Sequence, residues 1–240
     1  MGNEHGEWIM RGIDFCSPGC IRSEEQLEEY VNEVGFLPLF ANKIKGFSVE
    51  EHTSPEYWWT GNEDRDPWYW REMAARNGNV AYGKFFDKKA GYISKKWLPY
   101  FVNYRRDGYD FDSRWDDELE SYRNKKIMDL FADGEEYFSY EIKELAGFSS
   151  GGEKNFEGTI ADLQMKTYLT VKDFRQKTNK RGELYGWSIA VYSTPESLFG
   201  TEFVRSAYSE AGSVSFRRIV ENVKKHFPET DEKIIRRFMK

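Results

Sequence analysis

Asn124-Lys125-Lys126-Ile127-Met128-Asp129-Leu130-Phe131 opens the stretch that decides the fold, which runs on to Tyr192. This first segment reads as a short apolar helix stopped by Asp133-Gly134. A second helix begins at Ser139 and ends at Gly147. After a glycine break, Gly151-Gly152, a third helix runs to about Thr167. Phe156, Ile160, Leu163 and Thr167, spaced 4, 3 and 4 residues apart, form its buried stripe. Tyr168 to Gln176 and Tyr185 to Tyr192 have strand composition. Between them, Lys177-Thr178-Asn179-Lys180-Arg181-Gly182 is a cationic turn whose glycine suits a positive φ. Three helices and a hairpin within about 70 residues follow the order of a winged helix, most often a nucleic-acid-binding module.

The chain before it repeats the theme. Ser23-Glu24-Glu25-Gln26 is a capping box that starts a helix with Leu27, Tyr30, Val31 and Val34 on one face, ended by Gly35. Pro38 keeps Phe36-Leu37-Pro38-Leu39-Phe40 out of a helix. Ser48-Val49-Glu50-Glu51 is a second capping box. Ser54-Pro55 is read as the start of a helix carrying Trp58 and Trp59, and Pro67-Trp68 as the start of another that ends at Gly78. Val80–Phe86 and Ala90–Ile93 form a hairpin around Asp87-Lys88-Lys89. Ser94 is expected to cap a helix through Trp97 and Tyr104, Arg105 to Asp112 to be a turn-rich connector, and Ser113 to Arg123 to be a solvated helix. Thr194-Pro195 starts a helix, Phe216 to Phe227 is amphipathic, and residues 231–239 make a last short helix. The expected fold is therefore α+β and mostly helical, with tandem winged-helix-like units and a helical C-terminus. The expected boundaries are 1–112 for an aromatic-rich first unit and 113–195 for the second, with C-terminal helices (196–240) packed on the second.

Hydrophobic residues make up 39% of the 240 and aromatics 17%, enough for a real core. No run of about 18 apolar residues exists, so no membrane span is expected. The N-terminus lacks a leader pattern, so the cytoplasm is the expected location. Cys16 and Cys20 have only His5 nearby, too few ligands for zinc, and are expected to be a reduced pair. Net charge is −6, but residues 1–150 carry −10 and residues 151–240 carry +4. The winged-helix half is the basic half, which bears on a polyanionic partner.

Double-stranded DNA is the expected partner. Lys154, Asn155, Thr159 and Lys166 lie on the third helix opposite its apolar stripe, and Arg175, Lys177, Lys180 and Arg181 lie on the wing. A helix fits the major groove, and cations at a hairpin tip reach phosphates or the minor groove. Trp68, Trp70, Arg71, Tyr82, Trp97, Arg105 and Arg106 are the candidate pocket, able to hold an extruded base. The plainer readings are a Trp-rich core and structural ion pairs. Glu50, Glu51, Asp66 and Asp112 are carboxylates that would activate a water if buried beside these rings. The three histidines are widely spaced, and Ser149 to Lys154 lacks the Walker spacing. No metal, no cofactor and no catalytic residue is assigned. A transcription-type or protein-interaction module without chemistry is an alternative, as is a nucleobase or small-molecule binder, and the acidic first half leaves room for a protein partner.

Several segments resemble bacterial AlkZ-related proteins, distant relatives of the AlkZ/YcaQ winged-helix DNA glycosylases. They are Gly35-Phe36-Leu37-Pro38-Leu39, Gly46-Phe47-Ser48, Pro67-Trp68-Tyr69-Trp70-Arg71, Ala81-Tyr82-Gly83-Lys84, Arg105 to Asp112, Leu163-Gln164-Met165 and Tyr185-Gly186-Trp187. The resemblance covers about residues 25–235. It implies tandem winged helices around a concave DNA-binding surface, and metal-independent excision of alkylated or cross-linked bases as a DNA glycosylase. It also implies a Gln–apolar–Asp or Gln–apolar–Gln motif just after an early helix. The matching place reads Pro38-Leu39-Phe40, none of which can position or deprotonate a water. Gln164-Met165-Lys166 matches only superficially and lies in the wrong helix.

Overall fold

In the computed structural model, which describes residues 9–240, helix α1 (Glu24–Val34) begins as its capping box requires. The Ser23 hydroxyl accepts the Gln26 amide at 3.3 Å, and the Gln26 side chain reaches back to the Arg22 amide at 2.9 Å. Gly35 turns the chain into strand β1 (Phe36–Pro38). Helix α2 (Pro67–Asn77) is capped by Asp66, whose carboxylate accepts the Trp68 amide at 2.9 Å, and ends at left-handed Gly78. Strands β2 (Val80–Phe86) and β3 (Lys89–Ser94) join through Asp87 and Lys88, both left-handed, as a tight two-residue hairpin turn demands.

Short helices α3 (Leu98–Arg106), α4 (Phe111–Asp116) and α5 (Tyr122–Met128) lead to strand β4 (Tyr137–Phe138) and helix α6 (Ser139–Leu145). Helix α7 (Phe156–Met165) buries Phe156, Ile160 and Leu163 as their spacing predicts. It delivers the chain to the long hairpin of β5 (Thr170–Thr178) and β6 (Leu184–Ser193). Helices α8 (Pro195–Phe199), α9 (Thr201–Val204), α10 (Gly212–His226) and α11 (Glu232–Phe238) complete the chain.

All six strands form one antiparallel sheet in the order β1-β3-β2-β5-β6-β4. The two hairpins meet where Tyr82 pairs with Val171, and the Thr170 hydroxyl donates to the Tyr82 carbonyl at 2.8 Å. One apolar core runs from Leu27 and Phe36 through Phe86 and Tyr92 to Leu163 and Val171. The fold is α+β, as expected. Of the last helices, α10 and α11 lie against the first half of the chain. Helix α10 packs on α3, the Phe238 ring stacks on Phe86, and Asn222 donates to the Val34 carbonyl at 2.6 Å. Apolar Phe227 and Phe238 find their matching surface on Phe47 and Phe86. Among the described residues no helix is long and apolar enough to cross a membrane.

Three local expectations are corrected. Ser54-Pro55 makes only a single 3-10 turn (Pro55–Tyr57); Trp58 is extended, and Trp59 is left-handed at φ 59. The Trp58 indole N–H is drawn to the Thr53 hydroxyl at 2.9 Å instead of continuing a helix. Ser94 caps nothing, because Pro99 fits only a first helical turn and α3 therefore starts at Leu98. The solvated helix from Ser113 to Arg123 is broken in two, with Glu118 left-handed at φ 59. The cause is Glu120, whose buried carboxylate is pulled inward by Arg114, Asn124 and Lys166 at 2.7–2.8 Å. Cys16 is exposed, Cys20 is buried and both are free thiols; His5 lies outside the described residues.

Glu24, on α1, is 4% exposed and accepts the Asn77 amide at 3.0 Å. Burial, then the neighbouring Glu28, push its carboxyl up to about 7. A folded-state value above the unfolded 4.5 means that folding favours the protonated acid. Its contribution is complete below about pH 4.5 and is lost as pH rises through about 7. Glu24→Gln should therefore raise Tm at pH 8 by about 2–4 °C. Melting curves should converge towards pH 5; parallel pH profiles for parent and variant would overturn this assignment.

Candidate nucleic-acid interface

The eight residues expected to contact DNA divide sharply. Lys154 and Asn155 are exposed at the start of α7, with Asn155 left-handed at φ 68. Thr159 is buried, its hydroxyl donating to the Asn155 carbonyl at 3.0 Å. Lys166 is held by Glu120 at 2.8 Å and Asp162 at 2.9 Å. On the hairpin, Arg175 bridges Asp173 and Glu136, each at 2.7 Å. Lys177 lies over the Tyr140 ring at 4.3 Å. Lys180 and Arg181 sit at the tip, exposed, and neither side chain forms an ion pair among the described residues. Asn179 shapes that tip by accepting the Arg181 and Glu183 amides at 2.8 and 3.0 Å, with Gly182 at φ 81.

The seven pocket candidates do not converge on one cavity. Trp70 is 1% exposed, its indole donating to the Asp64 carbonyl at 3.2 Å, and Tyr82 is buried in the sheet. Trp97 packs edge-on to Phe36. Arg105 donates to the Phe85 carbonyl, and burial pushes its guanidinium down to about 10. Arg106 is sealed against Glu196 on α8, beside a separate cavity of about 440 Å³. Of these seven, only Trp68 and Arg71 line the cavity that Trp59 and Trp187 also line.

That cavity, about 860 Å³, lies between α2 with its preceding loop and the long hairpin. Its hairpin wall comes from an irregularity in the ladder. Arg175 pairs with Ile189 and Lys177 with Tyr185, so Gly186, Trp187 and Ser188 oppose the single residue Gln176. Gly186 is at φ 76, and the Gln176 amide donates to its carbonyl at 2.6 Å. Such bulges bend a strand and redirect side chains. Here all four residues of the bulge line the cavity, with Trp187 89% exposed. The opposite wall holds Trp59, half exposed and left-handed, in edge contact with Trp58 and 6.4 Å from Trp68. A bulky side chain in that backbone region is strained, and such strain gathers at working sites.

Three charged side chains line this cavity: Asp66, which caps α2, Arg71 and Glu72. The Arg71 guanidinium is sandwiched between Trp68 at 4.0 Å and Phe174 at 4.1 Å, and donates to Glu72 at 3.2 Å. Its Nε is buried without a partner. Burial pushes the Glu72 carboxyl up, opposed in part by the Arg71 charge and a hydrogen bond from Ser188. A second cavity of about 520 Å³ adjoins the first, sharing Tyr69, Glu72, Gln176 and Ser188 with it, and Arg76 and Arg175 line its far part. Glu72 therefore stands where the aromatic compartment meets a polar one, whose arginines are paired with Asp173 and Glu136. The carboxylates singled out from sequence are otherwise engaged. Glu50 accepts the Arg11 and Ala41 amides, Glu51 is held by Ser48 and Gly46, and both Asp66 oxygens accept amides around the start of α2. The Asp112 side chain is 86% exposed.

In the segment that takes the place of the glycosylase motif, Pro38 and Leu39 are buried and Phe40 is half-buried against Trp58 and Trp68, while the Leu39 amide donates to the Ala90 carbonyl at 2.8 Å. Among the described residues no cluster of three or more metal-ligating side chains occurs. No curated protein and no solved structure matches the chain. A family model does, across residues 21–240, nearly the whole length, and on that match the chain belongs to the AlkZ-related family.

Proposed function

We infer that the protein is a DNA-binding relative of the repair glycosylases, with the hairpin β5–β6 acting as the wing of a winged helix. The family points to a DNA-repair-glycosylase-like relative. The observation that carries the DNA contact is the hairpin tip. Most other cations of this hairpin are neutralised by Asp173 or Glu136 or held against Tyr140, whereas Lys180 and Arg181 face solvent without an ion pair. Two unpaired cations on a projecting turn suit phosphates or a minor groove. Lys154 and Asn155 add a second contact at the start of α7. In this reading the helix–hairpin stretches within residues 1–112 and 113–195 act as tandem winged-helix units that share one sheet. Base excision through residues 38–40 has no support, since that strand offers no group able to handle a water.

Anisotropy of labelled duplexes, one intact and one with an abasic-site analogue, tests this across a salt series. The parent should bind with a clear salt dependence and prefer the abasic duplex. Lys180→Glu with Arg181→Glu should weaken binding at least about tenfold and lower the salt slope by about 2. Unchanged affinity in the double variant would remove the wing from the interface. No duplex binding even at low salt would overturn the reading.

A further inference from the structure

We propose that the cavity where the end of α3 meets the starts of α4 and α8 binds a small uncharged polyol, of monosaccharide size, through Arg106, Tyr168 and Asp110.

This cavity of about 440 Å³ has room for a single sugar ring, and none of its lining residues lies on the hairpin β5–β6. Unmet hydrogen bonding marks it as a site. Arg106, 1% exposed, and Tyr168, 2% exposed, both line it. Among the described residues the Arg106 Nε and the Tyr168 hydroxyl have no hydrogen-bond partner. The Arg205 Nε is a third buried atom in the same state, since Glu196 stands 3.6 Å from it, too far for a hydrogen bond. Folded chains rarely leave such donors unmet, because each one has given up water for nothing. Three around one cavity call for acceptor oxygens that the chain does not supply.

Charge selects the kind of acceptor. Two arginines and four carboxylates line the cavity. Glu196 is paired with Arg106, and Asp110 stands 3.7 Å from Arg205, so these four charges cancel. Asp112 and Asp129, the more exposed carboxylates, share Lys125 and leave the surround acidic. A phosphate or carboxylate ligand would be repelled there. An ammonium ligand would leave the three donors unmet, because it accepts nothing. A hydroxyl is uncharged and both donates and accepts. Neighbouring hydroxyls on one small ring can take the Arg106, Arg205 and Tyr168 donors and give their own protons to Asp110 and Glu196. Hydrogen bonds from Ser113 hold the Asp110 carboxyl below its usual range, so it remains an ionised acceptor at neutral pH.

The test is calorimetric titration of the full-length protein with D-glucose, D-galactose, D-mannose and D-ribose. At least one should give a saturable, one-site isotherm, and neither inorganic phosphate nor L-lysine should displace it. Tyr168→Phe keeps the ring and deletes an unmet hydroxyl, so its Tm should equal or exceed that of the parent, while the sugar binds about fivefold more weakly. Asp110→Asn keeps the cap of α4, because asparagine caps as well as aspartate, and should weaken the sugar about tenfold. Lys180→Glu with Arg181→Glu should bind the sugar like the parent, which separates this site from the wing. Heats that fail to saturate with all four sugars would mean that the cavity holds water only and would overturn the proposal. Displacement by phosphate, or a folded Tyr168→Phe variant that binds like the parent, would overturn it as well.

Discussion

Glu196→Gln is expected to destabilise the protein by about 3–5 kcal/mol. Arg106 is the reason. Its side chain is 1% exposed, and among the described residues its charge is met by Glu196 alone, with a further hydrogen bond to the Thr167 carbonyl at 2.6 Å and the Tyr168 ring at 4.5 Å. Burial pushes the Glu196 carboxyl up, but the Arg106 charge and hydrogen bonds outweigh it and hold it below its ordinary value. Glutamine preserves the shape and removes the charge, leaving a guanidinium cut off from water. Arg205, 3.6 Å from Glu196, loses one of two partners and keeps Asp110 at 3.7 Å. Because the folded-state value is depressed, this contribution is present above the unfolded value of 4.5 and disappears as pH falls through the folded one. The Tm of Glu196→Gln should therefore fall by about 6–12 °C at pH 7 and approach that of the parent in acid. Arg106→Met in the same background should recover part of the loss, because an apolar side chain needs no counter-charge. Equal Tm for parent and Glu196→Gln at pH 7, or additive losses in the double variant, would show that the pair is not held as the structure places it.

This ion pair also shows why sequence reading stopped where it did. Arg105-Arg106 stood beside Tyr104 as a phosphate-binding candidate, yet the partner that claims Arg106 is 90 residues away on α8. Local chemistry was legible. Helix starts at Ser23, Pro67 and Thr194, glycine stops at Gly35 and Gly78, and both hairpin turns follow from residues within four positions of one another. Buried faces with helical spacing, as on α7, were legible for the same reason. Lys180 and Arg181 were legible as exposed cations because a hairpin tip faces solvent by construction. What the sequence hid is what distant elements assemble. Thr159 and Lys166 looked solvated on a helical projection, but α5 and Glu120 cover that face. Glu72 sat unremarked beside Arg71 because only the hairpin, more than 100 residues on, turns it into the floor of a cavity. One local sign of that cavity existed. Gly186 interrupts a strand between Tyr185 and Trp187, and an isolated glycine in a strand marks a bulge.

Gly35→Ala is the second large effect, expected at about 2–5 kcal/mol, and it tests the segment that replaces the glycosylase motif. Gly35 is at φ 93, outside the range that L-residues adopt without strain, which alone costs about 1–2 kcal/mol. A Cβ there would also stand 2.5 Å from the Cδ1 and Nε1 atoms of Trp97. Trp97 cannot step aside easily, since it packs edge-on to Phe36 and against Tyr100. Overpacking of this kind adds about 1–3 kcal/mol. The strain falls on the junction of α1 and β1, where Ser94 donates its amide to the Gly35 carbonyl at 2.9 Å. Because β1 is the sheet edge that buries Phe36 and Leu37, the cost should appear as global unfolding and not as local fraying. Denaturant titration should therefore give a lower midpoint with an unchanged m-value, while duplex binding persists at temperatures where the variant stays folded. A variant as stable as the parent would mean that Gly35 does not turn the chain as described. Loss of binding with full stability would mean that this junction, and not the hairpin, holds the working site.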